Sequence, residues 1–167
     1  QGTLIYSNGD KYVGDWANDQ ISGDGIYSYN NGDRYDGNWK NGKIHGKGTF
    51  SNSAGDVYIG EFNNNKMSGW GNYIYKNGDT YVGEWLNDKR DGQGTLSYIN
   101  GDKYIGKWTK DKRVGNGTIN FVNGNTYDGE WKNDYIEGYG TFNDSNGDIY
   151  KGEWKNEKKE GQGNYTF

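Results

Sequence analysis

The chain has 167 residues with no Cys, one His, a net charge of −4 and a pI near 5.0, which excludes disulfides, thiolate metal sites and a Cys nucleophile. With 23 acidic against 19 basic residues, no global field draws phosphate-rich partners, and nucleic acid is not expected as a ligand. Hydrophobic residues reach only 30% but aromatics 17%, with 16 Tyr and 7 Trp, and that aromatic wealth excludes the disordered class.

In chain order, residues 1–9 read as a partial unit: Gly2 and Leu4 match Gly25 and Tyr27 one period on, and Asn8-Gly9 closes the unit as a turn. Full repeats of 23 residues begin near 10, 33, 56, 79, 102, 125 and 148. In the first, alternation of period two predicts strands over 10–16 and 23–29, joined as a hairpin. Its first strand holds Tyr12-x-Gly14-x-Trp16, which recurs at Tyr35/Gly37/Trp39, Tyr81/Gly83/Trp85, Tyr104/Gly106/Trp108, Tyr127/Gly129/Trp131 and Tyr150/Gly152/Trp154. At Tyr58/Gly60 the third place is taken by Phe62. The second strand opens with Gly-x-Gly, from Gly23/Gly25 to Gly161/Gly163. Six turn signals follow, at Asn31-Gly32, Ala54-Gly55, Asn77-Gly78, Asn100-Gly101, Asn123-Gly124 and Asn146-Gly147. A fixed period of this length marks one supersecondary unit stacking on its copies.

Side chains alternate between faces, so register follows from parity. A two-residue turn at Asn31-Gly32 would pair Tyr35 with Ser28 and split the aromatic set. A three-residue loop, Asn30-Asn31-Gly32, with Gly32 left-handed in a G1-bulge turn, instead puts Tyr27 opposite Tyr35, Gly25 opposite Gly37 and Gly23 opposite Trp39. On the other side, a six-residue loop from Ala17 to Ser22 sets Trp16 opposite Gly23 and Gly14 opposite Gly25. Tyrosine, glycine and Trp/Gly rows then cross the strands, with glycines giving each Trp ring room to lie flat. About fifteen strands at ~4.8 Å spacing predict a right-twisted ribbon on the order of 70 Å long.

These residues resemble the MORN (membrane occupation and recognition nexus) repeat, approximately YxGxWxxGxxxGxGxxxxxxGxx, over essentially the whole chain. The departures are Phe62 and the loop glycine, kept only as Gly42 and replaced by Asp19, Asn65, Asp88, Asp111, Asp134 and Glu157. Asn and Asp tolerate positive φ as Gly does; Glu157 is the exception. The resemblance implies an all-β fold, an elongated single-layer antiparallel sheet of seven tandem hairpin repeats with open ends. It also implies binding rather than catalysis. Arrays of this family occur in junctional membrane proteins, lipid kinases, a histone methyltransferase, ciliary radial spokes and protist cytoskeletal scaffolds.

No catalytic residue, cofactor or metal ligand set is expected. His45 stands alone and reads as a turn residue, and the Gly-x-Gly pairs lack the third glycine and helix of a dinucleotide motif. Asp10, Asp33, Asp56, Asp79, Asp102 and Asp148 follow the turn glycines without the close spacing of a calcium loop, and read as turn-stabilising. Asp15, Glu61, Glu84, Glu130 and Glu153 read as a charged outer face rather than glycosidase carboxylates.

Two surfaces are candidates for binding. The aromatic face, Tyr12, Trp16, Tyr35, Trp39, Tyr58, Phe62, Tyr81, Trp85, Tyr104, Trp108, Tyr127, Trp131, Tyr150 and Trp154, is expected to stay partly open and to take an extended peptide or helix of a protein partner. The loop edge carries Lys89, Arg90, Lys112, Arg113, Lys158 and Lys159, with Ile21, Ile44, Met67 and Ile136 at the equivalent place elsewhere. Its alternative role is binding to anionic phospholipid, which dispersed basic residues and a negative net charge disfavour. No apolar run is long enough for a membrane span or signal peptide, so the expected setting is cytoplasmic. High Asn and Lys usage with three Arg suits an A/T-biased protist gene and a ciliary or cytoskeletal scaffold. Uncapped ends suggest a piece of a longer protein, or array ends covered by a partner or a second copy in a homodimer.

Overall fold

The computed structural model describes residues 1–167 as fifteen β-strands: β1 (Gly2–Ile5), β2 (Lys11–Ala17), β3 (Gln20–Ser28), β4 (Arg34–Lys40), β5 (Lys43–Ser51), β6 (Val57–Asn63), β7 (Lys66–Ile74), β8 (Thr80–Leu86), β9 (Lys89–Ser97), β10 (Lys103–Thr109), β11 (Lys112–Asn120), β12 (Thr126–Lys132), β13 (Tyr135–Asn143), β14 (Ile149–Lys155) and β15 (Lys158–Thr166). They are antiparallel and follow chain order in one sheet. The chain forms two compact units, Gln1–Asp88 with β1–β8 and Lys89–Phe167 with β9–β15.

In the first unit the Asn-Gly turns have the three-residue form that parity demands. The Tyr29 amide donates to the Asp33 carbonyl at 2.9 Å and the Gly32 amide to the Tyr29 carbonyl at 3.1 Å, with Gly32 at φ +93°. The pairs Gly23–Trp39, Gly25–Gly37 and Tyr27–Tyr35 then fall opposite one another, as expected. The same turn closes Tyr6–Asp10, Asn52–Asp56 and Tyr75–Asp79.

The opposite turns differ from expectation. The six-residue loop is a two-residue turn, Asn18-Asp19, with φ of 51° and 59°, which pairs Ala17 with Gln20 and Trp16 with Ile21, not with Gly23. A turn with both central residues left-handed matches the strand twist, and Asn and Asp tolerate that conformation at little cost. Gly14 still pairs with Gly25 because the register shifts at Asp15, where three residues, Ser22, Gly23 and Asp24, oppose one. Gly23 is left-handed at φ +78° in this bulge, so it serves backbone geometry rather than ring space.

The second unit repeats both devices. Its three-residue turns close Tyr98–Asp102, Phe121–Asn125 and Asp144–Asp148. Its two-residue turns are Lys110-Asp111, Asn133-Asp134 and Asn156-Glu157, all at positive φ. Bulges fall after Gly106, Gly129 and Gly152.

Side chains also bind successive repeats along both sheet edges. On the Asn-Gly edge, carboxylates of Asp10, Asp33 and Asp56 accept the amides of Asn30, Ser53 and Lys76 at 2.8–2.9 Å. On the other edge Asn65 and Asp88 accept the amides of Ile44 and Met67 at 2.8 Å, and in the second unit Asp111 and Asp134 accept those of Arg90 and Arg113 at 2.9 Å. Glu157 has the same backbone place, at φ +64°, but its longer side chain makes no such bond to the Ile136 amide.

Candidate functional site: the aromatic face and its grooves

The strand Tyr12-Val13-Gly14-Asp15-Trp16 turns its odd and even residues to opposite faces, and Tyr12 is fully buried while Val13 is 41% exposed. The tyrosine, not the Trp, occupies the room that the glycine rows create. A Cβ on Gly25 would stand 2.5 Å from Cζ of Tyr12, and one on Gly60 would stand 2.5 Å from the hydroxyl of Tyr58. The ring thus lies over two bare backbones, and its hydroxyl reaches the carbonyl of the bulged residue. Tyr12 donates to Asp15 at 2.9 Å, Tyr35 to Asn38 at 3.0 Å, Tyr58 to Glu61 at 3.0 Å and Tyr81 to Glu84 at 3.1 Å. In the second unit Tyr104 donates to Lys107, Tyr127 to Glu130 and Tyr150 to Glu153 at 3.0–3.3 Å. Burial pushes the Tyr104 phenol up to about 12 and holds those of Tyr35, Tyr58 and Tyr127 well above the usual range.

Each Trp closes the face over the repeat before it. Tyr12 meets Trp16 at 5.5 Å and Trp39 at 5.6 Å, both edge to face, and the zigzag continues through Tyr35, Phe62, Tyr58 and Trp85. Tyr104–Trp131 and Tyr127–Trp154 repeat it in the second unit. Contacts of this kind contribute about 0.5–1.5 kcal/mol each beyond area burial. The indole of Trp39 donates to the Gly25 carbonyl at 3.2 Å, and Trp85, Trp108, Trp131 and Trp154 bond to Gly71, Gly94, Gly117 and Gly140 at 2.9–3.4 Å. Thirteen of the fourteen expected aromatic residues are therefore 8% exposed or less; only Trp16, at 36%, is open. The rings form the core, and a partner would meet what lies around them.

The basic residues do not form one edge. Lys89, Lys112 and Lys158 are exposed, but strand alternation carries the residue after each onto the aromatic face. Arg90 stacks 4.2 Å over Trp108 while bonding Asp111 at 3.3 Å, and Arg113 does the same over Trp131 with Asp134 at 3.4 Å. Lys159 lies 4.7 Å from the Tyr165 ring and 4.9 Å from the Tyr150 ring.

Beside Ile44 and Ile136, which take the place of Arg90 and Arg113 in that column, an apolar groove remains. In the first unit a groove of about 300 Å³ is lined by Tyr29, Ile44, Phe50, Phe62, Met67 and Tyr73, with Asn65 and Asp88 at its polar rim. In the second, one of about 330 Å³ is lined by Ile119, Phe121, Ile136, Phe142 and Trp154, with Arg113 and Glu157 beside them. Ile44 and Ile136, Phe50 and Phe142, and Phe62 and Trp154 are repeat equivalents. Phe62 also lacks the indole donor that its counterparts direct to a glycine carbonyl. His45 stands outside this groove, and no group of three or more His, Cys, Asp or Glu is placed to hold a metal ion.

Several aromatics were missed from the sequence: Tyr29 and Phe121 at the groove walls, and Tyr139 and Trp70 on the reverse face, Trp70 being 53% exposed. The signal of Trp70 was present, for it is the one Trp of seven outside the Tyr-x-Gly-x-Trp pattern.

The fold and face define a class: an open antiparallel array of bulged hairpins sealed by repeating Tyr, Gly and Trp. The MORN repeat model matches seven consecutive segments, 12–34, 35–57, 58–80, 81–103, 104–126, 127–149 and 150–167, and the chain belongs to this family. Comparison with curated protein sequences gave no match. Among solved structures the chain is similar to the SAS-4 (dCPAP) TCP domain of Drosophila melanogaster, in complex with a proline-rich motif of Ana2 (dSTIL). The TM-score is 0.56 at 15% identity over 92% of this chain and 83% of that one. The TCP10c domain of Drosophila melanogaster Sas-4 matches with a TM-score of 0.42 and 14% identity, covering 99% of this chain and 98% of that one. The TCP10 domain of Danio rerio CPAP, in complex with a STIL peptide, matches with a TM-score of 0.25 and 12% identity, covering 90% and 82%. At these identities the first likeness is one of fold.

Proposed function

We propose that the chain is a non-catalytic scaffold that holds an extended segment of a partner protein in the grooves of its aromatic face, within a cytoskeletal or ciliary assembly. The observation that carries this reading is the pair of equivalent apolar grooves at Ile44/Phe50/Phe62 and Ile136/Phe142/Trp154. Each has a polar rim, the form in which apolar surface is left for a partner. The Drosophila melanogaster domain of like fold, in complex with a proline-rich motif, supports an extended occupant over a helix. Peripheral binding to anionic phospholipid is displaced as a reading, since Arg90 and Arg113 are neutralised by Asp111 and Asp134 on the aromatic face.

The test is quantitative proximity labelling in cells, comparing the wild type with Met67→Glu and Phe121→Glu, both at groove walls and both required to keep the wild-type thermal midpoint. A defined set of partners is expected to fall away from the variants. Retention of the same set would overturn the groove. Salt-sensitive sedimentation with phosphatidylserine vesicles, lost on neutralising Lys89, Lys112 and Lys158, would restore the lipid reading.

A further inference from the structure

The reverse face, turned away from the tyrosines, carries a second kind of feature. Trp70 stands between Gly69 and Gly71, a position held in the other repeats by Asp24, Lys47, Gln93, Asn116, Tyr139 and Gln162. Two of these seven are aromatic, Trp70 at 53% exposed and Tyr139 at 48%, one in each compact unit. Each ring stands between two glutamates. Trp70 has Glu84 directly across on β8, and Glu61 at the bulge of β6 on its other side. Tyr139 has Glu153 across on β14, and Glu130 at the bulge of β12, whose carboxylate accepts the Tyr139 amide at 3.2 Å. Where the residue is not aromatic the pair is broken: Lys47 lies between Asn38 and Glu61, and Asn116 between Lys107 and Glu130.

Trp70 also borders a trough of about 520 Å³ over the glycine backbones of Gly37, Gly48, Gly60 and Gly71. Asp24, Asp36 and Glu61 line it against one ammonium, Lys47, and Arg34 is already bonded to Asp36 at 2.7 Å. Asn72 lines it too, and its Oδ1 is buried with no hydrogen-bond partner. The carboxylates along the trough outnumber its one free-standing ammonium, so it favours a cationic occupant. An exposed ring with carboxylates on both sides attracts a cation through the ring face and the charges together.

We propose that Trp70, Glu61 and Glu84 form a receptor for an arginine side chain of an extended basic partner segment, and that Tyr139, Glu130 and Glu153 form a second, weaker copy. A guanidinium is planar, so it stacks on the indole while its edge donates to the carboxylates. The compact ammonium of lysine cannot do both. Trp is the better of the two rings for a cation, which orders the two sites. This surface is distinct from the grooves and stands or falls independently of them.

The test uses the full chain and the probe peptide acetyl-Gly-Arg-Gly-Arg-Gly-amide, with its Lys and Gln counterparts, read by the NMR shifts of the Trp70 indole N–H and the Tyr139 ring. The Arg peptide is expected to shift both, Trp70 at lower concentration, with the Lys peptide about tenfold weaker and the Gln peptide silent. Glu61→Gln with Glu84→Gln is expected to weaken the Trp70 response about fivefold while leaving Tyr139 unchanged, and Met67→Glu in the groove to alter neither. No shift at millimolar Arg peptide, an equal response to the Lys or Gln peptide, or undiminished calorimetric affinity in a folded Trp70→Ala/Tyr139→Ala double variant would each overturn the proposal. A response at Trp70 with none at Tyr139 would overturn the second copy.

Discussion

Tyr58 lies against Gly71 so closely that a Cβ on the glycine would stand 2.5 Å from the phenol carbon Cζ. The neighbouring backbone offers no escape, since a Cβ on Gly60 across the ladder would stand 2.6 Å from Cα of Gly71. Gly71→Ala is therefore expected to lower stability by about 1–3 kcal/mol, and by much less when Tyr58 is first reduced to Ala. Denaturation of the two singles and the double measures this coupling; additive costs would refute the contact as its cause.

The hydroxyl of Tyr104 supplies the donor for the bulged Lys107 carbonyl at 3.3 Å. Tyr104→Phe keeps the ring and removes that donor, and a loss of about 1 kcal/mol is expected. Faster amide exchange confined to the hairpin Lys103–Asn120 would be its local sign.

Burial raises the phenols of Tyr73 and Tyr104 to about 12, above an ordinary value of 10.0. A group whose folded pKa is raised contributes stability below its unfolded pKa and loses it as pH climbs through the folded one, so thermal midpoints should decline above about pH 10. Tyrosinate absorbance should rise together with loss of β-structure rather than ahead of it. At the acid end the sign reverses: the Ser53 amide holds Asp33 below its ordinary 3.8, so its contribution is full above that value and lost as pH falls beneath it. Asp33→Asn should flatten this acid limb.

Phe62 is the one departure in the Trp row, and it borders the first-unit groove. Phe62→Trp would supply an indole donor to the Gly48 carbonyl, as Trp39 does to Gly25. A gain of about 0.5–2 kcal/mol is expected, with weaker capture of any groove-bound partner. Calorimetry of the variant beside its labelling profile separates the two effects.

Glu157 sits where Asn65, Asp88, Asp111 and Asp134 bond the preceding repeat. Glu157→Asn shortens the side chain to the reach of the Ile136 amide and suits φ +64°, so stability should rise by about 0.5–1.5 kcal/mol. An unchanged melting profile would show that solvent serves that amide equally well.

The repeat, its hairpins and the three-residue turn were legible because Asn-Gly is a strong signal and parity forbids the rival register. Parity was blind on the other side. A six-residue loop and a two-residue turn followed by a two-residue bulge both keep Gly14 opposite Gly25, and Asn18-Asp19 signals its left-handed turn less loudly than Asn-Gly does. That missed turn displaced the rest: with strands running to Gln20, Arg90 and Arg113 became strand residues facing inward rather than loop cations. The burial of the tyrosines was illegible for a different reason. Tyr12 is sealed by Trp39, which belongs to the following repeat and whose reach depends on that same bulge. Trp70 is legible as the one Trp outside the Tyr-x-Gly-x-Trp pattern, set between the glycines of a Gly-x-Gly pair.

The two bonds that lock each aromatic pair point in different directions along the chain. Tyr35 ties down a carbonyl of its own hairpin, Asn38, while Trp39 ties down a glycine of the one before. Within each compact unit a repeat thus finishes its predecessor, through joints that use the same atoms wherever the Trp is kept. Such a chain can gain or lose whole 23-residue units by gene duplication or deletion and still meet a matching joint at the seam. Its length is free to drift in fixed increments while an individual hairpin, such as the one bearing Trp70, is preserved and acquires chemistry of its own.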